Sequence, residues 1–182
     1  MELVYKLKGL DYLFDHIKPD FFQGPIVSSS LNKYHTGNIN EFFDVDFFDI
    51  KNSRWLTCGY LRKSDGHIGE IHSDVVNDYS LCAAINIIWS GRTIMEFWDQ
   101  QKPENAGSLL STGKRTIRLY DHIKWPADYS YTMERGIYLV NASGPHRATC
   151  YGDRHLFSIR SPETYLKKWQ EILSEFDDLI DR

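Results

Sequence analysis

The sequence has few cysteines, no excess of basic residues and no linker-like segment. The three cysteines, Cys58, Cys82 and Cys150, stand far apart and form no CxxC pair. A disulfide scaffold or a thiolate zinc site is therefore not expected, and a reducing compartment fits best. The chain has 21 Lys and Arg against 25 Asp and Glu, a formal net charge of -4. Without a basic excess, nucleic acid is not expected as a partner.

Long apolar runs are also missing. The most apolar stretch, residues 81–89, contains Asn86 and is shorter than the roughly 20 residues that a membrane-spanning helix needs. The first residues lack the uninterrupted apolar region of a signal peptide. We therefore expect a cytoplasmic protein with no membrane partner.

The residues that are present favour a β fold. Aromatic residues make up 14% of the chain, and no repeat marks a domain boundary, so residues 1–182 are expected to form one domain. Residues 1–54 have helically spaced apolar positions followed by turns, which predicts a helical and loop cover. Residues 55–160 alternate between short strands and turns, a pattern typical of a sandwich or barrel. Residues 161–182 predict an amphipathic helix with Ser161 as its N-cap. The predicted strands are 55–62, 68–73, 80–89, 93–98, 108–111, 115–120, 129–133, 136–141, 146–150 and 154–160.

One group of side chains has the composition of a metal site. His72 and Asp74 are two residues apart, so on a strand they point to the same side and can bind one divalent metal together. Such a pair is common by chance and alone fits a surface turn better. His146 begins a later predicted strand, and Arg154 begins the next. Two histidines and one carboxylate are the ligands of non-haem Fe(II) oxygenases, and a guanidinium can bind a carboxylate through two parallel hydrogen bonds.

The order of these motifs resembles that of the Fe(II)- and 2-oxoglutarate-dependent dioxygenases. The resemblance is strongest to the compact bacterial and phage relatives of the prolyl and aspartyl/asparaginyl hydroxylases. It covers about residues 55–160 and implies a mainly β protein with flanking helices around a double-stranded β-helix, the jelly-roll core also found in cupins. The motifs are His72-x-Asp74, the strand 80–91, Pro145-His146-Arg147 and Arg154-x-x-x-Ser158-x-Arg160.

The resemblance also implies which residues bind the iron. By that resemblance His72, Asp74 and His146 are the Fe(II) ligands, the first two just after the second core strand and the third on the seventh. The implied reaction uses O₂ and 2-oxoglutarate to hydroxylate an unactivated C–H bond, and it releases succinate and CO₂. The chemical target stays open among peptidyl proline, peptidyl asparagine or aspartate, a free amino acid and another small metabolite. The oligomeric state is not readable from the sequence.

Residues that bind 2-oxoglutarate are implied in the same way. Arg154, at the start of the eighth core strand, is expected to bind the distal carboxylate. Many relatives have a serine two residues after this arginine, whereas here the next serine on that face is Ser158, so Arg160 remains a rival for the role. Tyr60 and Asn86 stand where relatives place hydrogen-bond donors to 2-oxoglutarate. The alternative is a cupin-like barrel that serves as a binding or structural module without oxygenase activity.

Overall fold

The structure is a computed structural model that describes residues 2–18, 33–44, 57–76, 79–80, 83–98, 108–111, 116–120, 123, 126–161, 164 and 166–182. The described strands are β1 (Val4–Leu7), β2 (Lys33–Asn38), β3 (Thr57–Lys63), β4 (His72–Val76), β5 (Tyr79–Ser80), β6 (Ala83–Phe97), β7 (Ser108–Ser111), β8 (Thr116–Leu119), β9 (Tyr129–Met133), β10 (Gly136–Asn141) and β11 (His146–Arg160). The described helices are a 3₁₀ helix (Asp11–His16), α1 (Ile39–Phe42) and α2 (Trp169–Glu175). In this part of the chain, no helix is long and apolar enough to cross a membrane.

Two long strands, β6 and β11, take part in two antiparallel sheets. In the first sheet, β3 pairs with the second half of β11, which pairs with the first half of β6, which pairs with β10. In the second sheet, β4 pairs with the first half of β11, which pairs with the second half of β6, which pairs with β9. When each half is counted as a strand, the barrel has eight core strands, which in chain order are β3, β4, the two halves of β6, β9, β10 and the two halves of β11. Numbered 1 to 8 in that order, they are arranged 1-8-3-6 in the first sheet and 2-7-4-5 in the second. This is the topology of a double-stranded β-helix, so the predicted jelly-roll core is confirmed.

Glycines make the bends in the two long strands. Gly91 and Gly152 have φ angles of 75° and 71°, a left-handed conformation that glycine adopts without steric cost. They lie where β6 and β11 leave one sheet for the other. The sequence predicts separate strands at 80–89 and 93–98, and again at 146–150 and 154–160. Each pair is one continuous strand, because a left-handed glycine bends the chain without ending the strand.

Substitution of Gly91 by alanine should test this corner. An added Cβ would lie 2.9 Å from the Cα of Arg154, and the φ angle itself costs about 1–2 kcal/mol for a residue with a side chain. We expect Gly91→Ala to lower the free energy of unfolding by roughly 1–3 kcal/mol beyond that cost, measured by chemical denaturation. Gly66→Ala is the matched control, since Gly66 has a φ of 74° and no atom within 4 Å of an added Cβ. Equal losses in the two variants would show that the corner is not tightly packed.

Apolar residues pack on both sides of the first sheet. Inside the barrel, Ile88, Met95, Val140 and Leu156 belong to one buried cluster. On the other side, the two chain ends cover the sheet, and their side chains pack against strand residues such as Phe157. The covering residues include Leu13, Phe14, Ile39, Phe42, Trp169, Ile172 and Phe176.

Three predicted elements need correction. The strand predicted at 68–73 is instead β4, which begins at His72. The predicted terminal helices are shorter: the N-terminal one is a 3₁₀ helix over Asp11–His16, and the C-terminal one is α2 with Lys168 as its N-cap. Ser161 is buried beyond the end of β11, where its carbonyl accepts hydrogen bonds from the amide and hydroxyl of Thr164 in a turn. Pro162 lies outside the described residues.

Candidate metal and anion site

Two histidines face each other at the starts of two core strands. His72 opens β4 and His146 opens β11, and the two are register partners whose ring centroids are 4.6 Å apart. The Nδ1 of each ring lies 2.9 Å from a backbone carbonyl oxygen, that of Glu70 for His72 and that of Gly144 for His146. A carbonyl can only accept, so each Nδ1 carries the proton and the lone pair is on Nε2. This is the tautomer that a metal-binding histidine uses.

Asp74 lies on the same side of β4 as His72, two residues further on. Its side chain is buried, and its Oδ2 is 3.0 Å from an Nη of Arg160. Among the residues that the structure describes, no group of three or more His, Cys, Asp or Glu side chains is close enough to hold a metal ion. The structure therefore brings the two histidines together and pairs the carboxylate with Arg160. The pair His72 and Asp74 begins the second core strand, not just after it as the resemblance implies.

These side chains line one cavity of about 420 Å³ inside the barrel. Its volume lies within the range of small-molecule sites, and much of its wall is apolar, with Leu61, Met95 and Leu156 as examples. Seven of the eight predicted site residues line it: His72, Asp74, Asn86, His146, Arg154, Ser158 and Arg160.

Arg154 is a buried cation at this cavity. The residue is only 3% exposed, and an Nη lies 3.6 Å from the Sγ of Cys150, which is a weak acceptor. In the described part of the chain, its Nε has no hydrogen-bond partner and no carboxylate forms an ion pair with it. Burial lowers the pKa of Arg154, yet an arginine remains charged in proteins. A buried charge without a counterion is costly, so this position favours an anionic ligand.

Two more basic residues line the cavity, and the sequence analysis did not single them out. Lys63 is the register partner of Arg154 across β3 and β11. The pKa of His67 is lowered, first by burial and then by the charges of Lys63 and Arg154. Lys63 could have been found only from the pairing of β3 with β11, and the sequence does not reveal that register.

Asn86 and Ser158 are polar groups in the middle strands of the cavity wall. They are register partners on β6 and β11, and both are buried. The Oγ of Ser158 accepts a hydrogen bond of 3.3 Å from the Nε of Arg160. The Oδ1 of Asn86 has no hydrogen-bond partner among the described residues, which leaves this amide available to a ligand.

Tyr60 lies on the other face of β3. Its hydroxyl is 2.7 Å from the Nδ1 of His155, and its ring centroid is 5.0 Å from that of Phe157. Burial raises the pKa of Tyr60 to about 12 and lowers the pKa of His155, so a neutral tyrosine donates to a neutral imidazole. Because side chains alternate along a strand, Tyr60 points away from the cavity that Leu61 and Lys63 line. The structure does not bring Tyr60 to the other predicted site residues.

The chain is similar to several solved structures at low sequence identity. No family model matches the chain, and no curated protein matches its sequence. Among solved structures, vicilin from Corylus avellana (hazelnut) is 11% identical over 78% of this chain and 32% of that chain, with a TM-score of 0.43. Oxalate oxidase in complex with the substrate analogue glycolate is 10% identical over 81% and 60%, with a TM-score of 0.44. The coconut allergen cocosin is 11% identical over 84% and 33%, with a TM-score of 0.46.

The chain spans less than two thirds of each of these three proteins. At such identities and TM-scores, the likenesses assign neither an activity nor a substrate to this chain. The jelly-roll topology rests instead on the strand pairing described above.

Proposed function

We propose that this protein is an Fe(II)- and 2-oxoglutarate-dependent oxygenase that hydroxylates an unactivated C–H bond of an amino acid, either free or within a peptide. The observation that carries the proposal is the buried cation Arg154 in the same cavity as the opposed His72 and His146. 2-Oxoglutarate has a keto acid that chelates metals and a distal carboxylate that needs a cation. Residues suited to both ends line this one cavity.

The side chains at the histidine end of the cavity have donor atoms suited to a metal ion. His72 and His146 have Nε2 lone pairs, and Asp74 supplies a buried carboxylate, which together are the donor set preferred by non-haem Fe(II). When bound, the iron would supply the activation of O₂ that couples the decarboxylation of 2-oxoglutarate to succinate and CO₂ with hydroxylation of the substrate. Asp74 pairs with Arg160 through Oδ2, so Oδ1 is the oxygen that would hold the metal.

The rest of the cavity prepares the site for an anionic ligand. Arg154 would bind the distal carboxylate through charge-assisted hydrogen bonds, which are stronger in a buried site than in water. Leu61, Met95 and Leu156 exclude water from the walls and so keep a reactive centre shielded. Glu70 and Ile68 are exposed and also line the cavity, so they lie where a substrate enters.

A second function is favoured by one specific observation. The ion pair between the Oδ2 of Asp74 and Arg160 compensates the charge of the carboxylate without a metal. A cupin-like barrel with such a pair could bind an anionic small molecule through Arg154 and have no oxygenase activity. The two functions differ in whether Fe(II) is needed.

An assay of 2-oxoglutarate turnover separates these functions. Succinate release is measured with Fe(II), O₂ and a panel of peptides and free amino acids, and uncoupled turnover without substrate is enough to establish the reaction class. Anaerobic addition of Fe(II) and 2-oxoglutarate should also give the weak visible charge-transfer band that the resemblance implies. A folded protein that gives neither the band nor succinate under any condition is not an oxygenase, and the binding module is then the better description.

The position of Tyr60 leads to a prediction. We expect Tyr60→Phe to lower the free energy of unfolding by about 1–2 kcal/mol, because it removes the partly buried hydrogen bond to His155. The KM for 2-oxoglutarate should change by less than about twofold, because the hydroxyl lies on the face away from the cavity. Asn86→Ala is the contrasting variant, since Asn86 lines the cavity and its loss should raise this KM. A large increase of KM in Tyr60→Phe would mean that the hydroxyl reaches the cosubstrate during turnover.

A further inference from the structure

A carboxylate stands between solvent and the histidine end of the cavity. Ile68, Glu70, His72 and Asp74 all line the cavity, as expected for extended backbone, in which every second side chain points to the same side. Two residues of extended chain span about 7 Å, so Glu70 lies one such step from His72. Ile68 and Glu70 are exposed, whereas Asp74 is buried. The row therefore leads from solvent past Glu70 to the proposed metal ligands.

Backbone hydrogen bonds hold Glu70 at this position. Its own carbonyl oxygen accepts the Nδ1 proton of His72, at 2.9 Å. The amide of the preceding residue, Gly69, donates to the carbonyl of Ala148 on β11, also at 2.9 Å. A Cβ on residue 69 would lie 3.2 Å from that carbonyl oxygen, so glycine allows the chain to approach β11 closely. The backbone of Glu70 is thus fixed relative to both His72 and β11.

The carboxylate of Glu70 is available to a ligand. Among the residues that the structure describes, no side chain forms an ion pair or a hydrogen bond with it. The other carboxylate that lines the cavity in this part of the chain, Asp74, pairs with Arg160. An ionised carboxylate only accepts hydrogen bonds, and its strongest partner is a cation. A cationic ligand that enters the cavity would therefore meet Glu70 first.

The cationic side chains of the cavity lie further along β11. Glu70 is level with Ala148, because the amide of Gly69 bonds to that residue. The guanidinium of Arg154 instead contacts Cys150, two residues further along the strand, and Lys63 is the register partner of Arg154. The cavity thus has one part suited to an anionic cosubstrate and, next to the histidines, a separate part suited to a cation.

The cavity limits the size of the group that can enter. Its volume of about 420 Å³ is in the lower part of the range for small-molecule sites, and in the proposed function the cosubstrate fills part of it. The wall near the histidines includes the small apolar side chains of Ala84, Ala142 and Ala148. These side chains leave room for a short aliphatic chain and offer it no hydrogen bond. Recognition of a charge on that chain then depends on Glu70.

We propose that the substrate of this protein carries a primary ammonium group on a short aliphatic chain, and that Glu70 binds this group. The inference rests on the proposed function, because it names the substrate class of that oxygenase. The ammonium belongs either to the α-amino group of a free amino acid or to the lysine side chain of a peptide. In both cases Glu70 would hold the charge at the cavity entrance while the aliphatic carbons lie toward His72 and His146.

Matched pairs of probes test the substrate class. Succinate release above the uncoupled rate is measured with free aliphatic amino acids and their Nα-acetyl derivatives. A second pair is a lysine-containing peptide and the same peptide with glutamine in place of the lysine. We expect only the member with the ammonium group to raise succinate release. The pair that responds distinguishes a free amino acid from a lysine side chain.

Variants of Glu70 test the binding residue. The Kd of the compound that responds is measured by calorimetry without O₂, on protein loaded with Fe(II) and 2-oxoglutarate. We expect Glu70→Gln to raise this Kd about fivefold, the upper end for a solvent-exposed ion pair, and to weaken its dependence on salt. Glu70→Asp, which keeps the charge, should bind more tightly than Glu70→Gln. Glu134→Gln, at an exposed glutamate that does not line the cavity, should leave the Kd unchanged.

The outcomes separate this inference from the proposed function. Equal stimulation by both members of every pair overturns the inference, and so does an unchanged Kd in Glu70→Gln, which would make Glu70 an ordinary solvated carboxylate. Uncoupled succinate release that no ammonium compound raises overturns the inference and leaves the proposed function standing. If the folded wild-type protein releases no succinate under any condition, the proposed function fails and the substrate site fails with it.

Discussion

Replacing His146 by alanine is expected to lower succinate release by more than about 100-fold and to remove Fe(II) binding. His146 and His72 present the two Nε2 lone pairs of the proposed site, and their Nδ1 hydrogen bonds hold both rings in place. Loss of a group that only orients a metal ligand costs about 10- to 100-fold, so loss of the ligand itself should cost more. Anaerobic Fe(II) titration and succinate release in the same preparation measure the two effects.

His155→Ala is the matched control on the same strand. His155 is half-buried and bonded to Tyr60, but it faces away from the cavity. This variant should lose stability and keep its turnover per folded molecule. If His146→Ala retains Fe(II) binding and turnover, the metal is not held where we propose. If both variants lose turnover equally, the loss reflects the fold and not the site.

The second large effect is expected in Arg154→Met. Two charge-assisted hydrogen bonds to a carboxylate contribute together about 3–5 kcal/mol, so the KM for 2-oxoglutarate should rise by about 100-fold or more. At the same time, the free energy of unfolding without ligand should stay the same or increase, because the substitution removes a buried charge that has no counterion among the described residues. Steady-state kinetics and chemical denaturation measure the two quantities.

This combination distinguishes a binding residue from a structural one. Arg62→Met is the control, because Arg62 pairs with the exposed Asp153 at 3.6 Å and does not line the cavity. A pair of this kind contributes about 0–1 kcal/mol, and its loss should leave the KM unchanged. If Arg154→Met unfolds readily while its KM stays at the wild-type value, Arg154 supports the barrel and does not bind the cosubstrate.

Much of the fold could be predicted from local patterns. The strands predicted at 108–111, 129–133 and 136–141 are present with those bounds, since alternating or apolar runs between turn residues specify them locally. The C-terminal helix begins later than the sequence predicts. Ser161 and Pro162 form a good helix start in isolation, but Ser161 is buried at the end of β11 and the helix begins at Trp169. Burial of the strand outweighed the capping preference.

The site could be predicted in part. Seven of the eight predicted residues line one cavity. The two-residue period of strands predicts that His72 shares a face with Asp74, and that Arg154, Ser158 and Arg160 share another. The resemblance, and not the period, points to Asn86. The resemblance implies that Tyr60 is a donor to 2-oxoglutarate, but Tyr60 does not line the cavity, because the orientation of β3 relative to the barrel is not a local property. Lys63 was missed for a similar reason, since its partner Arg154 is distant in the sequence and only strand pairing joins them.

Local sequence therefore determined the chemical groups available to this protein: two histidines, a carboxylate and an arginine, on strands whose alternation is readable along the chain. Tertiary structure decided how those groups meet. It set His72 opposite His146, paired Asp74 with Arg160, and put Lys63 beside Arg154. The physical reason is register. A slip of one residue between paired strands turns every side chain to the opposite face, and packing on both faces of the sheet, between residues far apart in the chain, selects one register.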